Sequence, residues 1–171
     1  MQGDAVNDTP STSCLGTDFD TPIDDRYFED YHPGAIYEYG WVTVTESGIV
    51  EFAQRYDPQP IHTDPTAAAT GPFHGLIASG WHTAAIRMRM LVDHYLSHIA
   101  SLASPGMDEI RWPRPVRPGD QLRLRATIDD TRLSRSKPDR GLVITTAELW
   151  NHESDLVFSI KATNFLARRP Q

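Results

Sequence analysis

The chain carries a single cysteine, Cys14, so it can form neither an internal disulfide nor a cysteine-rich zinc site. It has no apolar run near the roughly 20 residues that a membrane-spanning helix needs. Its first residues, Met1-Gln-Gly-Asp-Ala-Val-Asn-Asp8, lack the basic stretch and apolar segment of a secretory leader. The expectation is a soluble, cytoplasmic protein with no membrane association. Large apolar side chains are sparse up to about residue 25, where Asp, Thr, Ser, Pro and Gly dominate. That composition buries too little surface to offset chain entropy. It predicts a disordered or loosely docked tail over residues 1–25, with a single domain over 26–171. Bases are scarce there too: up to Glu38 there are nine acids and one base, Arg26. With a formal net charge of −7, the chain is a poor partner for nucleic acid. Nine bases do gather between Pro105 and Arg140. They fit a solvated strand face, and equally a place for a small phosphorylated ligand.

What is present has the pattern of an α+β domain. Tyr37–Val44 alternates aromatic and β-branched residues, as a strand does. Thr45 follows as a helix N-cap, and Pro58 and Pro60 forbid that helix beyond about Tyr56. Asp64-Pro65 starts a short helix. Ser79 caps a long one expected to run to about Ser101, with Trp81, Ala84, Ala85, Met88, Leu91, Val92, Tyr95, Leu96 and Ile99 at helical spacing. Beyond Pro105 the period changes to two. Glu109–Trp112, Gln121–Ile128, Gly141–Trp150 and Leu156–Leu166 read as strands, the first two separated by a proline-rich turn. Several antiparallel strands after a long apolar helix predict a sheet packed on one side of it.

The chemistry concentrates in Asp57-Pro-Gln-Pro-Ile-His62. Two prolines stiffen the connection, and an extended backbone is expected between the carboxylate and the imidazole. The pair can converge on one water, with Asp57 as proton acceptor and His62 as donor, acceptor or orienter. By spacing alone the segment also fits a turn aspartate beside a surface histidine. Downstream, Phe73-His-Gly-Leu-Ile-Ala-Ser-Gly80-Trp81 enters the long helix. Its first N–H groups have no partner within the helix, and the positive end of the dipole can receive negative charge on a carbonyl oxygen. Gly80 leaves room for that approach, or is a glycine merely tolerated in a first turn. His62, His74 and His82 match no zinc spacing, and no metal is expected. Ser79 lacks the Gly-x-Ser-x-Gly context of a nucleophile and reads as a cap.

Asp57-Pro-Gln-Pro-Ile-His62-x-Asp64, Ala67-Ala68 and Phe73-x-Gly-Leu-Ile-Ala-Ser-Gly80 together resemble the signature of the MaoC-like dehydratases, relatives of the (R)-specific enoyl-CoA hydratases. The resemblance implies a hot-dog fold, a sheet wrapped around a central helix, and a homodimer or dimer of dimers with sites at the subunit interface. It implies reversible addition of water to a trans-2-enoyl-CoA, giving the (R)-3-hydroxyacyl product, with coenzyme A as part of the substrate and no further cofactor. Asp57 and His62 then hold and activate the water, and the Gly80 N–H is the oxyanion donor. Pro60, Phe73, Ile77, Ser79 and Trp81 are expected to contact substrate. Three positions depart from the family pattern: Gln59 replaces an asparagine, Ser79-Gly80 replaces His-Gly, and Met88 stands where some members have serine. A hot-dog thioesterase and a noncatalytic acyl-CoA-binding protein are the alternatives.

Overall fold

The computed structural model describes residues 12–171. One antiparallel sheet holds β1 (Ser13–Cys14), β2 (Ile36–Thr43), β3 (Ser101–Arg111), β4 (Gln121–Leu133), β5 (Arg140–Asn151) and β6 (Leu156–Ala167). Its order is β1-β2-β4-β5-β6-β3, so β3 forms one edge. Four helices lie between β2 and β3: α1 (Glu46–Tyr56), α2 (Pro60–Thr63), α3 (Pro65–Ala69) and α4 (Gly80–His94). The sheet wraps α4, which is the hot-dog arrangement. None of the described helices is long and apolar enough to cross a membrane.

Strand alternation sets the core. Leu122, Leu124, Ala126 and Ile128 of β4 are buried, as are Val143, Thr145, Ala147 and Leu149 of β5. They meet Met90 and Leu91 from α4 in one cluster, joined by Ile49 of α1. The caps follow the sequence: the Thr45 hydroxyl accepts from the Gly48 N–H, and the Asp64 carboxylate from Thr66 and Ala67.

Five expectations need correction. Residues 12–25 are not loosely attached: Ser13 and Cys14 pair with β2, and Phe19 stacks on Tyr37 at 3.9 Å. The Arg26 guanidinium covers the other face of that ring, 3.5 Å from its centroid. A single aromatic side chain thus docks a polar stretch. Residues 1–11 of the expected tail lie outside the described residues.

The long helix stops at His94 rather than near Ser101. Buried Arg26 donates to the His94 and Tyr95 carbonyls, and the Tyr31 hydroxyl donates to Tyr95 as well. These bonds take the acceptors that another helical turn would need, so the chain leaves for β3. The buried face of α4 is also rotated from the expected stripe. Thr83, Arg87, Met90 and Leu91 face the sheet, whereas Trp81, Ala85, Met88 and Val92 form a second, exposed face at helical spacing. The expected stripe mixed the two faces: Leu91 and Tyr95 are buried and Ala84 and Leu96 pack on the core, as expected, whereas Trp81, Ala85, Met88 and Val92 point outward.

β3 begins eight residues earlier than its expected start at Glu109, because an edge strand tolerates Pro105 and Gly106 where a central one would not. Finally, the Asp57–His62 connection is not extended throughout. Pro60 begins the one-turn helix α2, where a missing N–H and a fixed φ do no harm, and His62 sits inside that turn.

Candidate active site

Three segments converge on the site. Asp57 is the C-cap of α1, its N–H bonded to the Ala53 carbonyl at 2.8 Å. His62 stands on α2. The third segment is Leu76–Ser79, four consecutive buried residues leading into α4. Backbone bonds lock this segment to its neighbours: Ile77 N–H to the Ile61 carbonyl at 3.2 Å, and Ala78 N–H to the Val116 carbonyl at 2.8 Å.

The side chains complete the arrangement. His62 Nδ1 is 2.8 Å from the Ile77 carbonyl oxygen. A carbonyl can only accept, so Nδ1 carries the proton and Nε2 is the atom left for chemistry. Nε2 lies 3.5 Å from Asp57 Oδ2. Oδ2 accepts from the Ser79 hydroxyl at 2.6 Å, and Oδ1 accepts from the Gln59 amide at 2.7 Å. The Ser79 and Gln59 hydrogen bonds, with the His62 ring alongside, hold the Asp57 carboxyl below its ordinary value. At neutral pH the carboxylate is therefore ionised. Asp57 Oδ2 and His62 Nε2 face each other across 3.5 Å, and a water can bridge them.

A cavity of about 360 Å³ opens beside His62, lined by Phe73, Ile77, Gly80, Thr83 and Trp112 among others. Its apolar walls suit an acyl group. Gly80 is the first residue of α4, and its N–H meets no acceptor among the described residues. The Trp112 ring lies against it: a Cβ at Gly80 would come within 2.9 Å of two indole ring atoms. Trp112 also donates from Nε1 to the Gly80 carbonyl at 2.9 Å. Absence of a side chain here is what lets indole and helix head share one wall.

The expected site residues divide. His62, Phe73, Ile77 and Gly80 share the cavity, and Asp57 reaches it through His62. Ser79 is fully buried and turned toward Asp57, so it holds the carboxylate rather than meeting a ligand from the cavity wall. It also caps α4 by accepting from the Trp81 N–H. Pro60 is exposed away from the cavity wall, and Trp81 is 63% exposed, touching Trp112 edge-on from outside. Trp112 and Thr83 were not among the expected site residues, and Gln59 stood only as a departure from the family pattern, not as a partner of Asp57. Thr83 falls one turn after Gly80 on the same helix face, so the helical period could have found it. Trp112 comes from a distant strand end and carried no such signal. A larger hollow, about 610 Å³, lies across α4, but Asp57, His62 and Gly80 are all absent from its wall. His82 on that wall is stacked on Phe52, and burial lowers its pKa.

Comparison with known proteins gives the chain's family and fold. The family model described as a MaoC-like domain matches residues 30–149. The 3-hydroxyacyl-thioester dehydratase Z of Mycobacterium tuberculosis is 33% identical over 111 residues, covering 64% of this chain and 74% of that protein. The crystal structure of a MaoC-like dehydratase from Rhodospirillum rubrum superposes with a TM-score of 0.79 at 37% identity, covering 85% of this chain and 99% of that one. A Mycobacterium tuberculosis protein described as a double hot-dog fold shares the fold, with a TM-score of 0.70 at 19% identity over 88% of this chain and 47% of that one. With 30–149 matched and the hot-dog architecture in place, the chain belongs to the MaoC-like dehydratase family.

Proposed function

We propose that the protein is a hydratase/dehydratase that adds water reversibly to a trans-2-enoyl thioester, with enoyl-CoA as substrate and (R)-3-hydroxyacyl-CoA as product. The observation that carries this reading is the facing pair, Asp57 Oδ2 and His62 Nε2, beside the free N–H at the head of α4. Water held by both is deprotonated as its oxygen attacks the β-carbon. Negative charge then grows on the thioester oxygen, where the Gly80 N–H and the α4 dipole stabilise it. A proton returns to the α-carbon, and either the His62 Nε2 or the carboxyl of Asp57 is placed to deliver it. The (R) configuration follows from the family resemblance.

The test is ultraviolet absorbance of crotonyl-CoA together with a thiol assay. Loss of conjugation with the thioester intact supports hydration. Release of free thiol identifies a thioesterase, and binding without either change identifies a noncatalytic acyl-CoA binder.

The assembly we infer is a homodimer. Among the described residues β3 is an unpaired edge eleven residues long, and open edges invite a second strand. Beside it, the outer face of α4 leaves Trp81, Met88 and Val92 uncovered, an apolar stripe of the kind that subunit contacts bury.

A further inference from the structure

Arg87 is a buried cation that no carboxylate answers among the described residues. The residue is 4% exposed, it makes no hydrogen bond or ion pair among the described residues, and its Nε is buried without a partner. Burial pushes its pKa down only to about 10, so it stays cationic at neutral pH. An unpaired buried cation is costly, and an arginine fork is shaped to take a carboxylate through two parallel hydrogen bonds. The guanidinium lines a narrow cavity of about 30 Å³ whose wall contains Asn164, Thr145 and Tyr95 but no Asp or Glu. That space is the size of one or two waters, or of one small anionic group.

Its placement connects it to the chemistry. Gly80, Thr83 and Arg87 follow one another at helical spacing on the inner face of α4. Thr83 lines the cavity that holds His62 and Gly80, and Arg87 follows one turn further on. From Gly80 to Arg87 is about 10 Å along the helix axis, and helical side chains lean back toward the N-terminus. The fully buried Phe158 ring stands between the two regions, 5.8 Å from the Trp112 ring and 5.8 Å from the guanidinium carbon, so a chain that reaches Arg87 from the His62 cavity must turn this ring aside.

We propose that Arg87 recognises a carboxylate at the far end of the acyl group, so that the substrate class is enoyl thioesters of short dicarboxylic acids. This rests on the reading of Asp57, His62 and Gly80 as an enoyl-thioester site. With the thioester oxygen at the Gly80 N–H, an acyl chain of five or six carbons directs its terminal carboxylate toward the guanidinium. The added water and its proton leave that carboxylate untouched.

The experiment compares 4-carboxybut-2-enoyl-CoA and 5-carboxypent-2-enoyl-CoA with crotonyl-CoA by kcat/KM, and glutaryl-CoA with butyryl-CoA by calorimetric binding. The wild-type protein should prefer the dicarboxylic member of each set. In Arg87→Met the ratio should fall at least about 30-fold, the lower end of the effect of removing one partner of a buried charge pair. Arg87→Lys, which keeps the charge but loses the fork, should fall between them. Hydration of crotonyl-CoA with no wild-type preference overturns the Arg87 assignment alone. Dissociation of the dimer in Arg87→Met with an unchanged ratio also overturns it, and makes Arg87 a subunit contact. If no enoyl thioester is hydrated, the parent reading fails. The binding arm then still decides: tighter glutaryl-CoA binding that needs Arg87 keeps the carboxylate site, and equal binding removes it.

Discussion

The Ser79 hydroxyl donates to Asp57 Oδ2 at 2.6 Å while the same oxygen faces His62 Nε2 at 3.5 Å. One serine therefore caps α4, fixes the rotamer of the candidate base and lowers its pKa. Ser79→Ala should remove all three effects. Asp57 should become harder to ionise, moving the acid limb of the kcat/KM profile to higher pH. Loss of the cap should cost about 1 kcal/mol in denaturant melts. An unmoved acid limb would show that Ser79 does not tune Asp57.

The same depressed pKa has a consequence for acid stability. A carboxyl whose folded pKa lies below its unfolded value contributes stability that is fully present above about pH 3.9. That contribution fades as pH falls through the folded value. Asp57→Asn should therefore narrow the gap between melting temperatures at pH 7 and pH 3 relative to wild type. An unchanged gap means that the hydrogen bonds from Ser79 and Gln59 do not favour the ionised form.

Gly80→Ala should raise helix propensity and still harm the enzyme. The added Cβ would meet the Trp112 indole at 2.9 Å, so ring or helix head must move. Misplacement of about 1 Å near the reacting atoms can cost about 100-fold in rate. Steady-state kinetics should show that loss in kcat with the protein still folded. Wild-type kcat would mean the helix head does not hold the thioester.

Phe19→Ala tests the docked N-terminal segment. The ring stacks on Tyr37, meets Tyr31 and Tyr95 edge-on, and carries the Arg26 guanidinium. Full Phe→Ala truncation in a core costs about 3–5 kcal/mol, and this ring is only partly buried, so about 2 kcal/mol is expected. A melting curve matching wild type would return residues 12–25 to the status of a loose tail.

Much of this was legible in the sequence because it is local. Asp57 and His62 sit five residues apart across two prolines, and Thr45, Asp64 and Ser79 announce their helices by side chains that bond the next turn. The two-residue alternation of β4 and β5 is likewise visible in any short window. The sequence reading failed where a distant partner decides. Trp112 reaches Gly80 from 32 positions away, and Arg26 ends α4 from 68 positions away. Trp81, Met88 and Val92 are apolar yet exposed among the described residues, and apolarity alone cannot separate such a face from the core. Arg87 carried no signal at all, since a charged residue on a helix normally faces water, and here it is buried.

The inferred dimer can be checked with one charge. Met107 on the open β3 edge is 51% exposed, so replacing it should leave the fold intact. Light scattering should give a dimer for wild type, and Met107→Asp should shift the mass toward monomer. A monomeric wild-type protein at micromolar concentration would contradict the inferred assembly.

The most direct measurement is hydration of crotonyl-CoA by Asp57→Asn, with circular dichroism of the same sample. Asparagine can still accept from the Ser79 hydroxyl, but it cannot take a proton from water. The account predicts a fall in kcat of about 10²–10⁴-fold, the usual contribution of a general base, with an unchanged dichroism spectrum. Near-wild-type hydration by a folded Asp57→Asn protein would contradict it.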